Sequence, residues 1–265
     1  MVIEIYGLVH KESFQKASLL ASDLHESHHE IFEQPRICGM FEFEWADFIR
    51  TTKKKLGGAY WIYNHDVLVI IDGVPLGSEE DLANWAEREF NITDYRPMTL
   101  YSALAVDAYK KRLLRFNRIY ISMHISIDGE KSGILLLEKW MDSRWRYNSY
   151  ATYFALDILY NRGNDGRSIY GPVFEDENYI IKHDRRGILS MANSGRHTNG
   201  SQFLITLAPA EWMDNRYVAF GRVIEGSLTL DKMEEVQTHY ERPVKDICIE
   251  NISVVNPNEL ATKIA

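Results

Sequence analysis

The sequence predicts two domains of different class: an α/β domain in the first half and a mainly-β, antiparallel domain in the second. Three observations predict this. The length of 265 residues exceeds the ~150 typical of one domain. Up to about Leu114, strand-like and helix-like apolar periods alternate, as in α/β folds. From Ile119 onward, period-two alternation and turn residues dominate. Hydrophobic residues make up 45% and charged residues 26% of the chain, an ordinary globular balance. The chain is long enough to bury a sizeable core.

Val2 to Leu8 reads as a first strand. A helix follows over Glu12 to His25, with Phe14, Ala17, Leu20, Ala21 and Leu24 on one stripe. Ile31 to Cys38 reads as a second strand, interrupted by Pro35. Glu44 to Leu56 returns to helix with Trp45, Phe48, Ile49 and Leu56 inward, stopped by Gly57-Gly58. Tyr60 to Tyr63 and Val67 to Ile71 read as two strands around the turn Asn64-His65-Asp66. Ser78 with Asp81 forms a capping box that opens a helix through Phe90, closed by Asn91. Pro97 to Leu114 reads as a further helix with Leu100, Ala103, Leu104, Ala108 and Leu113 on its apolar side.

This element order is similar to a thioredoxin-like domain, and VIIDGVPLGSEEDLANWA resembles the end of a glutaredoxin. The turn after the first strand is Val9-His10-Lys11-Glu12-Ser13, without cysteine, and no proline precedes Val67. Thiol–disulfide exchange requires a thiolate. The expectation is a redox-dead, thioredoxin-like module over residues 1–115, used for docking or serving as a stabilising domain.

The second domain is expected over residues 116–265. Ile119, Ile121, Met123, Ile125 and Ile127 alternate with polar residues, a half-buried strand. Asp128-Gly129 turns it and Ile134 to Glu138 returns it. Val218 to Ile224 and Ile247 to Val255 read as later strands, with a helix over Leu228 to Val236.

A net charge of −8 argues against nucleic acid as partner. The basic runs Lys53 to Lys55 and Lys110 to Arg118 read as solvated helix faces. No apolar run reaches the ~18 residues that span a bilayer, so no membrane partner is expected. MVIEIYGL lacks the basic start of a secretory signal. Cys38 and Cys248 stand far apart, which fits a reducing, cytoplasmic setting. His25, His28 and His29 read as a polar helix end in preference to a metal site, so no metal is expected.

The centre of the second half is GILSMANSGRHTNGSQFLITL, Gly187 to Leu207. Two apolar runs flank a polar loop from Asn193 to Ser201, so two core strands joined by a long loop are predicted. Asn193 and Gln202 sit where loop meets strand, and their carboxamides suit the donors and acceptors of an extended peptide.

MANSGRHTNGSQF, with SIYGPVFEDEN upstream and EWMDNRYVAFGRVIEG downstream, resembles the cyclophilins, the peptidyl-prolyl cis-trans isomerases. The resemblance covers roughly the second half of the chain. It implies a closed antiparallel barrel with helical ends. It also implies a groove for proline-containing or extended segments, and a cyclosporin-type ligand.

Twisting an X–Pro amide needs no nucleophile or cofactor. It needs an apolar proline pocket, groups that fix the flanking peptide, and a cationic donor that stabilises the twisted amide. By resemblance, Ala192 and Asn193 pair with the peptide backbone and Gln202 holds the substrate carbonyl region. Gly163 lies at the rim, and Met191 and Ser194 flank the groove. Leu204 stands where the family has a Phe under the proline ring. Trp212 matches a family tryptophan, Met213 its pocket-wall neighbour, and Tyr217 stands where many members have His. Core packing is the competing reading for Ala192, Phe203 and Leu204.

The departure lies upstream. The family's helix and catalytic-strand region is shortened around residues 142–156. Arg146 falls at the catalytic arginine position by spacing, but Ala151, Thr152 and Phe154 replace the pocket floor, and Ala155 and Leu156 replace two glycines. The expectation is therefore an isomerase-like protein that binds peptide segments with little or no turnover. Two alternatives stay open: an active isomerase assisting protein folding, and a two-domain scaffold with no retained chemistry.

Overall fold

The computed structural model describes residues 1–116, 118–140, 171–240 and 242–258. These fall into two compact units, one of Met1–Phe116 together with Pro257 and Asn258, and one running from Arg118 to Asn256.

The first unit runs β1 (Ile3–Leu8), α1 (Glu12–Ser27), β2 (Arg36–Met40), α2 (Glu42–Leu56), a 3-10 turn (Gly58–Ile62), β3 (Val67–Ile71), β4 (Val74–Gly77), α3 (Glu79–Phe90) and α4 (Met98–Leu114). Its sheet has the order β2-β1-β3-β4. β1 and β2 are parallel, and the β1–β3 and β3–β4 pairs are antiparallel. Alternation along the strands sends opposite side chains to opposite faces. Ile3, Ile5, Val67 and Val69 meet Phe14, Ala17, Leu20, Ala21 and Leu24 of α1 and Leu82 and Ala86 of α3. Leu8 and Leu68 cluster instead with Trp45 of α2, with Phe48 and Ile49 against them. Gly7 is required by close approach: a Cβ there would stand 2.7 Å from the Asp66 carbonyl and 2.8 Å from the Phe14 ring.

The capping box at α3 forms as predicted. Ser78 Oγ accepts from the Asp81 N–H, and Asp81 Oδ2 accepts from the Ser78 N–H at 2.7 Å. Three expectations are corrected. Tyr60 to Tyr63 is not a strand. Gly57 and Gly58 both take positive φ and turn the chain into the 3-10 helix. The hydroxyls of Tyr60 and Tyr63 then donate to the Pro75 and Val67 carbonyls at 3.0 and 2.5 Å. The hairpin is β3–β4, around Asp72-Gly73 with φ of 48° and 79°, the left-handed pair that a tight hairpin turn favours. The second strand begins after Pro35, which has no N–H for the ladder.

The third correction concerns α4. It buries Tyr101, Ala105, Tyr109 and Leu113, a strict four-residue stripe, and leaves Ala103 exposed. Tyrosine rings take the inward places that the aliphatic pattern had assigned to Leu100 and its neighbours. Tyr109 packs edge-on against Phe41 and His10, with centroids 5.6 and 5.8 Å apart. Arg112 bonds Glu44 and Ser102 bonds Glu12, so α4 is pinned across the starts of α1 and α2.

The second unit runs β5 (Ile119–Ile127), β6 (Glu130–Lys139), β7 (Ile188–Met191), β8 (Phe203–Ile205), a 3-10 turn (Glu211–Met213), β9 (Ala219–Glu225), α5 (Ser227–Glu234), β10 (Thr238–His239), β11 (Arg242–Pro243) and β12 (Ile247–Val255). Six strands form one sheet of order β12-β5-β6-β9-β7-β8. Every pairing is antiparallel, so the described residues make an antiparallel half-barrel. Asp128-Gly129 turns β5 into β6 as expected. Buried apolar residues include Met123, Ile125, Leu135, Leu137, Ile188, Leu189, Val223 and Ile249. Glu138 is 2% exposed among them. Its carboxylate accepts from Arg222 Nε at 2.7 Å and lies 3.2 Å from Arg118 Nε. Two guanidiniums thus satisfy a charge that would be costly alone. Gly226 has φ of 103°, and a Cβ there would meet the Ile134 carbonyl at 2.4 Å.

Candidate functional site

β7 and β8 pair over three residues: Leu189 faces Ile205, Ser190 faces Leu204 and Met191 faces Phe203. Directly opposed residues share a sheet face, so Ser190 and Leu204 lie on the side away from Met191 and Phe203. Beyond Met191 the strands stay joined, since the Ala192 N–H donates to the Gln202 carbonyl at 3.0 Å. The loop between them is held by its own polar groups. The Ser194 N–H donates to Thr198 Oγ1 at 2.9 Å, and that hydroxyl donates to the Gly195 carbonyl at 2.7 Å.

Two further anchors fix this loop. Asn193 Nδ2 donates to the Arg216 carbonyl at 2.8 Å, and its Oδ1 accepts from the Gly195 N–H at 3.2 Å. Asp176 accepts from the His197 N–H at 2.9 Å, Asn199 Nδ2 at 2.8 Å and the Tyr179 hydroxyl at 2.8 Å. Burial alone would push the Asp176 carboxyl up, but these hydrogen bonds outweigh it and hold it below the usual carboxylate range. Phe174 and Asn199 also form a backbone bridge.

The segment carrying Trp212 and Tyr217 is anchored from below. His183 is fully buried. Its N–H and its Nδ1 reach Asp214 Oδ1 at 2.9 and 3.0 Å, and its Nε2 lies 3.0 Å from Ser190 Oγ. The carboxylate only accepts, so Nδ1 carries a proton. The hydrogen bonds from His183 hold the Asp214 carboxyl below its ordinary range. Asp214, His183 and Ser190 therefore form a chain from the 211–217 turn to the strand residue opposite Leu204.

The predicted residues divide accordingly. Ala192, Asn193, Gln202 and Leu204 are half-buried along β7–β8 and the loop mouth, and Ser194 is exposed. The Gln202 carboxamide makes no hydrogen bond to the described residues, whereas both ends of Asn193 are committed within the protein. Trp212 is 66% exposed and its ring stands edge-on to Tyr217 at 6.1 Å. Met191 and Met213 are buried, so their side chains support the wall from within. Arg146 and Gly163 lie outside the described residues. Sequence reasoning missed His183, Ser190 and Asp214 as a unit, and it missed the tie from Asp176 to the loop. A buried histidine leaves no periodic signal, and Asp176 stands between Glu175 and Glu177, where nothing local marks one carboxylate out.

Among the described residues, no group of three His, Cys, Asp or Glu could hold a metal ion. His25 Nδ1 instead lies 2.8 Å from the Phe32 carbonyl. Cys38 and Cys248 are both free. No helix among the described residues is long and apolar enough to cross a membrane.

A family model for cyclophilin type peptidyl-prolyl cis-trans isomerases matches residues 151–254. The chain is 36% identical to a Mus musculus protein over 91% of this chain and 87% of the relative. The chain belongs to the cyclophilin-type peptidyl-prolyl cis-trans isomerase family. That mouse relative is named "Probable inactive peptidyl-prolyl cis-trans isomerase-like 6". A Homo sapiens relative of the same name is 34% identical over 91% of this chain and 88% of its own length. A crystal structure of a Cryptosporidium parvum cyclophilin type peptidyl-prolyl cis-trans isomerase is 28% identical, covering 52% of this chain and 98% of that one, with a TM-score of 0.43. As a cyclophilin-family chain, this one carries its β7–loop–β8 unit together with the 211–217 turn, joined through Asn193–Arg216 and through the His183 chain.

Proposed function

We propose that this protein binds extended or proline-containing segments of other proteins along a cyclophilin groove, with little or no isomerase turnover. The observation that carries this reading is a contrast within the second unit. The wall formed by Ala192, Gln202, Leu204 and the Trp212–Tyr217 turn is built and anchored. In the sequence of residues 151–156, by contrast, Ala151, Thr152 and Phe154 stand in place of the family's pocket floor, and Ala155 and Leu156 in place of two glycines. Gln202, whose carboxamide bonds none of the described residues, presents it to a peptide backbone, Leu204 gives the proline ring an apolar seat, and exposed Trp212 stacks beside it. The family's Arg position falls on Arg146, without the neighbours that would hold a guanidinium to the accuracy catalysis demands. The names of the mouse and human relatives, with their word "inactive", support the same reading. We further read the half-barrel as one side of a closed barrel.

The first unit is read as a thioredoxin-like docking module. Its element order and its sheet of three antiparallel strands plus one parallel edge support that fold. The turn before α1 has His10 where a thiol would be needed. Burial depresses the His10 imidazole below its usual range, since Tyr109 of α4 stands over it. A reducing, cytoplasmic setting suits two unpaired cysteines.

The test is a thermal shift of the full chain with cyclosporin A. A ligand that binds only the folded state raises the melting temperature by mass action. The groove reading expects a rise that Gln202→Ala diminishes. A folded chain whose melting temperature does not move has no such groove.

A further inference from the structure

The end of α2 and the turn after it carry a feature that the groove does not use. Lys53, Lys54 and Lys55 fill the last turn of α2, in a chain of net charge −8. A basic last turn complements the helix dipole, but that does not account for the apolar residues left in solvent beside it. Leu56 is 37% exposed, Trp61 59% and Ile62 86%. Among the described residues, none of the three lysines has an ion pair, whereas Lys11, Lys111 and Lys182 each lie beside a carboxylate. Gly57 and Gly58, both at positive φ, join the helix end that bears the lysines to the apolar turn.

The turn is also held in place. The Tyr60 and Tyr63 hydroxyls fasten it to the Pro75 and Val67 carbonyls. A preorganised Trp–Ile ridge next in the chain to cations that have no ion pair among the described residues has the makings of an interface hot spot with a charged rim. We infer that this ridge docks a linear protein segment in which acidic residues alternate with large apolar ones. Trp61 and Ile62 would take its apolar side chains and Lys53 to Lys55 its carboxylates. A bilayer is the less favoured occupant, because clusters that recognise anionic lipid usually carry about 4–8 basic residues. The inference rests on reading the first unit as a docking module, and names the face and the chemistry it recognises.

The experiment titrates the full chain into labelled short peptides in which Asp and Glu alternate with Leu and Phe. Control peptides carry Lys in place of the acids, and phosphatidylserine vesicles form a separate arm. The acidic peptides should bind, less tightly as salt rises. Trp61→Ala and the pair Lys54→Glu with Lys55→Glu should each weaken binding by about tenfold or more. Gln202→Ala should leave it unchanged. Trp61, Lys54 and Lys55 are exposed and Gln202 is half-buried, and an unaltered melting temperature confirms that each variant folds. Equal binding of the basic peptides, no binding of the acidic ones, or indifference to Trp61 and the lysines overturns the inference. Loss on Gln202→Ala alone assigns the peptide to the β7–β8 wall. Vesicle binding that depends on Trp61 without any peptide binding assigns the ridge to membranes. Peptide binding to the first unit that ignores Trp61 keeps the docking reading and rejects this site.

Discussion

Asp214 accepts two hydrogen bonds at one oxygen from one residue: Oδ1 lies 2.9 Å from the backbone nitrogen of His183 and 3.0 Å from its Nδ1. That doubling fixes both the position and the ring orientation of a histidine buried under the 211–217 turn, and passes through Nε2 to Ser190. Replacing Asp214 by Ala leaves a buried N–H and a buried ring nitrogen without partners. The expected cost is about 2–4 kcal/mol, at the upper end for unsatisfied buried groups because the acceptor is charged. Urea unfolding of the variant measures it, and Asp214→Asn, which keeps one acceptor, should recover part of the loss.

Acid should loosen the same region. Asp214 and Asp176 both have folded-state pKa values held below the ordinary carboxylate value. A depressed carboxylate adds stability that is complete above its unfolded pKa of about 4 and is lost as pH falls through the folded value. Stability should therefore hold steady down to about pH 4 and decline below it. The Asp176→Asn, Asp214→Asn double variant should show a shallower acid decline in a melting-temperature series against pH.

Asn193 and Gln202 look equivalent in sequence but carry different loads. Both ends of the Asn193 carboxamide are bonded within the protein, so Asn193→Ala should cost about 1–2 kcal/mol of stability. Gln202→Ala should change stability by no more than ~0.5 kcal/mol while weakening peptide binding. Parallel denaturation and peptide titration of the two variants separate these effects.

In the first unit, Tyr109 is the centre of α4's contact with His10 and Phe41. Tyr109→Ala should destabilise that unit by about 3–5 kcal/mol, the range for emptying a buried aromatic site. It should also expose the start of α1 to faster amide hydrogen exchange. Redox activity should stay absent in the variant, because no thiol lies there to uncover. An insulin-reduction assay on parent and variant tests that.

Much of this was legible in the sequence where one signal dominates. The strand over Ile119 to Ile127, the Ser78–Asp81 cap and the Asp128-Gly129 turn stand as read, because turn chemistry and strand propensity are local; the strand's alternation does not hold throughout, since Tyr120 and Ser126 are buried with Met123 and Ile125. Tyr60 to Tyr63 misled because its β-rich composition was set against two glycines with positive φ and two tyrosine hydroxyls that find the Pro75 and Val67 carbonyls. α4 misled because tyrosines face inward, and an aliphatic pattern does not count them. At the candidate site, the strand–loop–strand frame that carries Asn193 and Gln202 was legible from the motif, and the His183–Asp214–Ser190 chain was not. Its members lie up to 31 residues apart and meet only through the fold.

The central claim is peptide binding without turnover, and exchange NMR of an X–Pro peptide reports both at once. With the full chain added, the account predicts that the peptide resonances shift and broaden on binding, and that cis–trans exchange stays at its uncatalysed rate of tens of seconds or longer. Exchange cross-peaks that grow with added protein and disappear with Arg146→Ala would contradict the account and make this chain a working isomerase.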